Sequence, residues 1–69
     1  NMSQSTRDDL NKVISFNLKE DGGVPISNLS KESLSIIDQY LDKEFSNNPK
    51  LDENIELKQV HGKITSALE

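Results

Sequence analysis

Three segments with apolar residues at helical spacing, separated by two helix-breaking stretches, constrain the fold of this chain most strongly. The first break, residues 21–25, contains Gly22, Gly23 and Pro25, and the second, residues 46–49, ends in Pro49. Glycine and proline are typical of helix ends, because glycine accepts left-handed backbone and proline lacks an N–H donor. The pattern therefore predicts an all-α fold, a small three-helix domain spanning residues 1–69.

The first segment, residues 6–20, leaves two structures open. Four of its apolar residues share one helical face: Leu10, Val13, Ile14 and Leu18. Thr6 suits the N-cap of such a helix, and Gly22 or Gly23 suits the left-handed residue that ends it. However, apolar residues around Phe16 also alternate with polar ones, which is typical of a strand. We favour the helix, and the alternative is an N-terminal β-hairpin followed by two helices.

The second and third segments indicate helices more clearly. Ser30 is a good N-cap for a helix over residues 31–45. Pro49 suits the first position of a third helix with Asn48 as its cap, and Asp52 is a competing start. Five residues of these two helices are expected in the main core: Leu34, Ile37, Leu41, Val60 and Ile64.

The third helix carries a second set of residues opposite its core stripe. At 100° per residue, Leu51, Ile55 and Gly62 fall on this side. Glycine costs roughly 1 kcal/mol relative to alanine inside a helix, which favours a close backbone approach there. With Phe16 as a neighbour, these residues are predicted to form the contact between two copies of the chain. In the competing interpretation Leu51 lies in the preceding loop and Ile55 covers the edge of the core. Gly62 is then a residue that weakens the helix slightly and is tolerated there.

Composition favours a binding role over chemistry. A chain of 69 residues without cysteine has a small core and no disulfides, so oligomerisation is the remaining common way to gain stability. No apolar run exceeds two residues, which argues against a membrane span. We expect a small acidic protein-interaction or regulatory module in the cytoplasm that forms a homodimer, with another protein as a further candidate partner. Residues 1–5 are expected to be flexible, and Asn1, which precedes Met2, is interpreted as a vector remnant.

Candidate catalytic and metal-binding residues are few. His61 is the only histidine, and it lies beside the core stripe of the third helix, where a half-buried histidine is expected. Asp38 and Asp42 stand one helical turn apart and have the oxygen ligands that cations use, but exposed helix carboxylates need no ligand. We therefore expect no catalytic residue, no cofactor and no metal, and we do not expect an enzyme.

A nucleic-acid regulator, with the second and third segments forming a helix-turn-helix-like pair, is the alternative function. The net charge of −4 disfavours it, because duplex binding depends on basic residues that contact phosphates. The third helix offers no arginine and only Lys50, Lys58 and Lys63.

A third hypothesis comes from the triplet Glu32-Ser33-Leu34, which opens a helix that runs on to Phe45. This region resembles the surroundings of the modified serine in acyl carrier proteins, where an Asp-Ser-Leu triplet begins the second helix. Glu32 stands where that family has aspartate. The resemblance implies a carrier domain in which Ser33 holds a phosphopantetheine group.

Overall fold

Residues 2–69 form three α-helices and two short 3₁₀ turns. The computed structural model describes residues 2–69, so Asn1 and its interpretation as a vector remnant lie outside the described residues. The elements follow in this order: α1 (Gln4–Asn17), a 3₁₀ turn (Ile26–Asn28), α2 (Lys31–Asn47), a second 3₁₀ turn (Pro49–Glu53) and α3 (Ile55–Ala67). Residues 2–69 contain no strand. The three-helix prediction is therefore confirmed, and the β-hairpin alternative is wrong.

The first helix starts earlier than the sequence predicted. Ser3, and not Thr6, is its N-cap, because the Ser3 hydroxyl accepts a hydrogen bond from the Thr6 N–H at 3.2 Å. Both residue types cap well, and the earlier cap places Thr6 inside the helix, where it is buried. Gln4 and Ser5 lie in the first turn of α1, while the flexibility expected for residues 1–5 stays a prediction.

The first helix also ends earlier, and a lysine takes the place expected for a glycine. Lys19 has a left-handed φ of 61° just after the C-cap. Its N–H donates to the Phe16 carbonyl at 3.1 Å, and the Glu20 N–H donates to the Ser15 carbonyl at 2.8 Å. This pair of bonds is the Schellman motif, which satisfies the last carbonyls of a helix.

The two glycines instead lie in the loop that follows α1 and runs back along it. Gly22 has a φ of 82°, which favours glycine. A Cβ atom on Gly23 would collide with the backbone of Phe16, so the loop lies directly against the helix. The Val24 N–H donates to the Lys12 carbonyl at 3.1 Å and fixes this return.

Asparagine and serine side chains set the starts of the later elements. Ser30 caps α2 as predicted, accepting from the Ser33 N–H at 3.2 Å, and α2 runs two residues beyond Phe45. Asn48 caps only the 3₁₀ turn at Pro49. Asn54 has non-helical backbone, and its side chain accepts from the Leu57 N–H at 3.1 Å. The predicted starts of the third helix at Pro49 and Asp52 are therefore wrong.

Each helix packs on the other two around one core. The buried apolar residues are Leu10, Val13, Leu34, Ile37, Leu41, Val60 and Ile64, which include all five predicted core residues of α2 and α3. Leu18, which was expected on the inner face of α1, follows the end of that helix and is 41% exposed. The radius of gyration of 11.2 Å agrees with the roughly 11 Å expected for a folded chain of this length.

Candidate functional site

The side of α3 that faces away from the core carries two of the predicted contact residues. Ile55 is the first residue of the helix and is 66% exposed, more than any other large apolar side chain in residues 2–69. Gly62 lies seven residues later and therefore on the same side. Exposed Gln59 and Ser66 complete this surface. We call Ile55, Gln59, Gly62 and Ser66 the outer face of α3.

Space around Gly62 is open. A Cβ atom built on this glycine would meet no atom within 4 Å among residues 2–69, apart from its own helix and its chain neighbours. No close approach inside the chain therefore requires a glycine here. In a single copy of the chain, no contact offsets the lower helix propensity of Gly62.

Leu51 does not belong to the outer face. It lies in the 3₁₀ turn Pro49–Glu53, which packs against α2 and α3, and it is half-buried. The Leu51 N–H donates to the Asn48 carbonyl, and its own carbonyl accepts from the Asn54 N–H. Because Asn54 interrupts the helix, the helical spacing that grouped Leu51 with Ile55 does not apply. The predicted placement of Leu51 on the third helix is therefore wrong, while its part in a contact between copies stays a prediction.

Phe16 is 51% exposed and lies beside α3. Its ring lines a groove of about 180 Å³ together with Val13, Ile26 and Val60, and Asn17 and Lys63 complete the lining. The groove is mostly apolar. Ile26 was not expected there, because its position depends on the path of the loop that returns along α1.

Hydrogen bonds of Asn17 hold the end of α1 against the flank of α3. The Asn17 amide donates to the Glu56 carboxylate at 2.8 Å and to the Gln59 carbonyl oxygen at 3.2 Å. Its oxygen accepts a hydrogen bond from the Lys63 ammonium. Phe16, next to Asn17, is thereby placed near the outer face of α3.

A second cluster lies on the other flank of α3, where it meets α2. The His61 Nε2 atom is 2.7 Å from Asp42 Oδ1 and 3.4 Å from Asp38 Oδ1. The Thr65 hydroxyl donates to Asp38 Oδ1 at 2.7 Å. Phe45 stacks on the imidazole, with ring centroids 5.2 Å apart and planes 18° from parallel. We call Asp38, Asp42 and His61 the α2–α3 cluster.

The half-buried position predicted for His61 is confirmed, but no contact was predicted between His61 and the pair Asp38 and Asp42. The positions of these three residues beside the apolar stripes of their helices could have indicated the contact. Asp38 and Asp42 flank the buried stripe of α2, as His61 flanks that of α3, so packing the stripes together brings the flanks together.

The residues behind the two alternative functions lie elsewhere. Ser33 is in the first turn of α2, where its hydroxyl accepts from the Ser30 hydroxyl at 3.2 Å. Lys50, Lys58 and Lys63 are all exposed, and the Lys63 ammonium also donates a hydrogen bond to Asn17. Carrier modification and duplex binding both stay predictions.

Comparison with protein-family models, curated proteins and solved structures found no match to this chain. Within residues 2–69, none of the helices has the length and apolar character needed to cross a membrane.

Proposed function

We propose that this protein is a small acidic interaction module that acts as a homodimer through the outer face of α3. The observation that supports this most directly is Ile55, which is 66% exposed on the same side of the helix as the open position Gly62. In this proposal a second copy of the chain covers both residues. A cytoplasmic address and a regulatory role are part of the proposal.

The apolar side chain supplies the driving force. Fully burying an isoleucine side chain contributes roughly 1.5–3 kcal/mol, and a twofold contact uses each such residue twice. Gly62 and Ser66 lie one turn apart and have small side chains or none, so two α3 helices can approach closely at this point. Phe16 borders the contact and adds aromatic area to it.

The outer face suits a second copy because its own residues are uncharged, and exposed Lys58 is the ionisable residue that borders it on the same side of α3. Its four residues are Ile55, Gln59, Gly62 and Ser66, and none of them is ionisable. The chain as a whole has a net charge of −4, so two copies repel each other over most orientations. These four residues add no like-charge pair of their own when the face meets itself.

The size of the molecule limits the contact. Stable interfaces bury roughly 800 Å² per partner, which is about a sixth of the 4749 Å² exposed by one copy. The exposed area of the four outer-face residues alone is smaller than that. The contact therefore extends from α3 across the flank to the exposed ring of Phe16.

Sedimentation equilibrium on the parent and on Ile55→Lys tests the homodimer. We expect the parent to dimerise at micromolar concentration and Ile55→Lys to remain monomeric, because a buried lysine lacks a partner there. The matched control is Ile36→Lys, the same substitution at an isoleucine that is 37% exposed on α2. It should dimerise like the parent.

Two results would contradict this function. A parent that stays monomeric at high micromolar concentration removes the homodimer. If Ile55→Lys dimerises as tightly as the parent, the contact lies on another surface. Circular dichroism on each variant shows whether the helices are retained.

A further inference from the structure

The α2–α3 cluster lies outside the proposed dimer contact and brings together three side chains of the kinds that bind metals. One imidazole nitrogen and two carboxylate oxygens, from Asp38, Asp42 and His61, lie within 4.8 Å of one another. The geometry points to a binding site for a divalent transition-metal ion, with Zn²⁺ as the best fit. The outer face of α3 takes no part in it.

The spacing of the ligand atoms fits a small ion. Zinc binds imidazole nitrogen and carboxylate oxygen at roughly 2.0–2.2 Å, so neighbouring ligand atoms of a tetrahedral site are roughly 3.4 Å apart. His61 Nε2 and Asp38 Oδ1 are 3.4 Å apart. His61 Nε2 and Asp42 Oδ1 are 2.7 Å apart and must separate slightly. The Asp42 side chain is 62% exposed and free to make that movement.

Two of the three ligands are held in place by neighbours that do not bind the ion. Stacking on Phe45 fixes the plane of the His61 imidazole, whose side chain is 23% exposed. The Thr65 hydroxyl lies 2.7 Å from Asp38 Oδ1 and 2.9 Å from the His61 carbonyl oxygen, and it orients the Asp38 carboxylate when its one hydrogen points there. Such supporting hydrogen bonds around ligands are typical of metal sites, where they fix ligand orientation.

Charge favours a cation at this point. Asp38 and Asp42 bring two carboxylates to one place, and among residues 2–69 no lysine or arginine nitrogen lies within 4.0 Å of either. The 2.7 Å contact between His61 Nε2 and Asp42 Oδ1 is a hydrogen bond in the structure, so an ion that binds Nε2 displaces the hydrogen between them. A divalent ion then neutralises the two carboxylates and binds the imidazole in its neutral form.

Ligand chemistry selects the kind of metal. An imidazole nitrogen suits zinc and other late transition metals, whereas Mg²⁺ prefers oxygen ligands and retains its waters. Three protein ligands leave the fourth zinc position to water. The bound ion would tie α2 to α3 in a chain that has no disulfide for this purpose.

Isothermal titration calorimetry with ZnCl₂ on the tag-free chain tests the site. We expect saturable binding of one Zn²⁺ per chain, a higher melting temperature with Zn²⁺ and no such shift with Mg²⁺. His61→Asn and Asp42→Asn should each weaken Zn²⁺ binding by at least about tenfold, which is roughly 1.4 kcal/mol. The matched control is Asp21→Asn, which removes the same charge at another exposed aspartate and should bind like the parent.

The absence of saturable Zn²⁺ binding to the parent overturns the proposal, as does unchanged binding by His61→Asn. If a variant fails to fold, nitrogen NMR of the parent decides, because His61 is the only histidine and its ring signals are unambiguous. Zn²⁺ should shift the His61 Nε2 resonance at one equivalent. A resonance that does not move overturns the site. Dimerisation of the parent is measured separately, so either proposal can fail without the other.

Discussion

Replacing Gly62 by alanine separates the cost of this glycine in α3 from its use in a contact between copies. Glycine in a helix interior is less favourable than alanine by roughly 0.8–1.0 kcal/mol. The new methyl group would meet no atom within 4 Å in the part of the chain that the structure describes, apart from its own helix and its chain neighbours. We therefore expect Gly62→Ala to stabilise the monomer by about 1 kcal/mol.

The same methyl group has the opposite effect on the dimer. In the proposed contact two α3 helices meet closely at Gly62, so added volume pushes them apart and weakens association. For a chain of this size a gain of 1 kcal/mol raises the melting temperature by roughly 4–8 °C. The variant should therefore melt higher than the parent when dilute and dimerise less when concentrated.

Thermal unfolding followed by circular dichroism at low micromolar concentration measures the first effect, and sedimentation equilibrium at high concentration measures the second. Ser66→Ala is the control, because it lies on the same face without a glycine, and its stability should change by less than about 0.5 kcal/mol. A dilute Gly62→Ala that melts at or below the parent would refute the open helical environment. Unchanged association would remove Gly62 from the contact.

Two further substitutions test the core and the end of α1. Ile37→Ala, at a side chain that is 0% exposed, should lower the free energy of unfolding by roughly 2–5 kcal/mol, and a urea midpoint equal to that of the parent would contradict its burial. Lys19→Gly should stabilise the chain by about 1 kcal/mol, because glycine adopts the left-handed φ of 61° without a Cβ clash. Lys19→Ala is its control, and equal melting of the two would contradict a left-handed residue there.

Helix positions were predictable where one strong local signal had no competitor. Ser30 is the only good cap directly before the apolar pattern of α2, and the structure uses it. At the start of α1, Ser3 and Thr6 offer similar hydrogen bonds, and the sequence alone does not separate them. The predicted end of α1 was too late in the chain, because Lys19 completes the Schellman motif in place of a glycine. The two glycines lie in the loop that follows.

The candidate sites divide in a similar way. The exposure of Ile55 and Gly62 followed from helical spacing, since both lie in α3 opposite its buried stripe. Leu51 was misplaced, because the Asn54 cap separates its 3₁₀ turn from the helix. Helical spacing places two residues on one side of a helix only while the backbone between them stays helical.

By itself, then, the sequence determined the three helices, the core stripes of α2 and α3, and the position of Ile55 and Gly62 opposite the core stripe of α3. These features depend on interactions within a few residues and on the 3.6-residue period, which a sequence displays directly. Only the tertiary structure decided that His61 meets Asp38 and Asp42, and that Phe16 shares a groove with Ile26 and Val60. Those distances depend on how the helices and the loop pack against each other, and residues far apart in the chain carry no local signal of it.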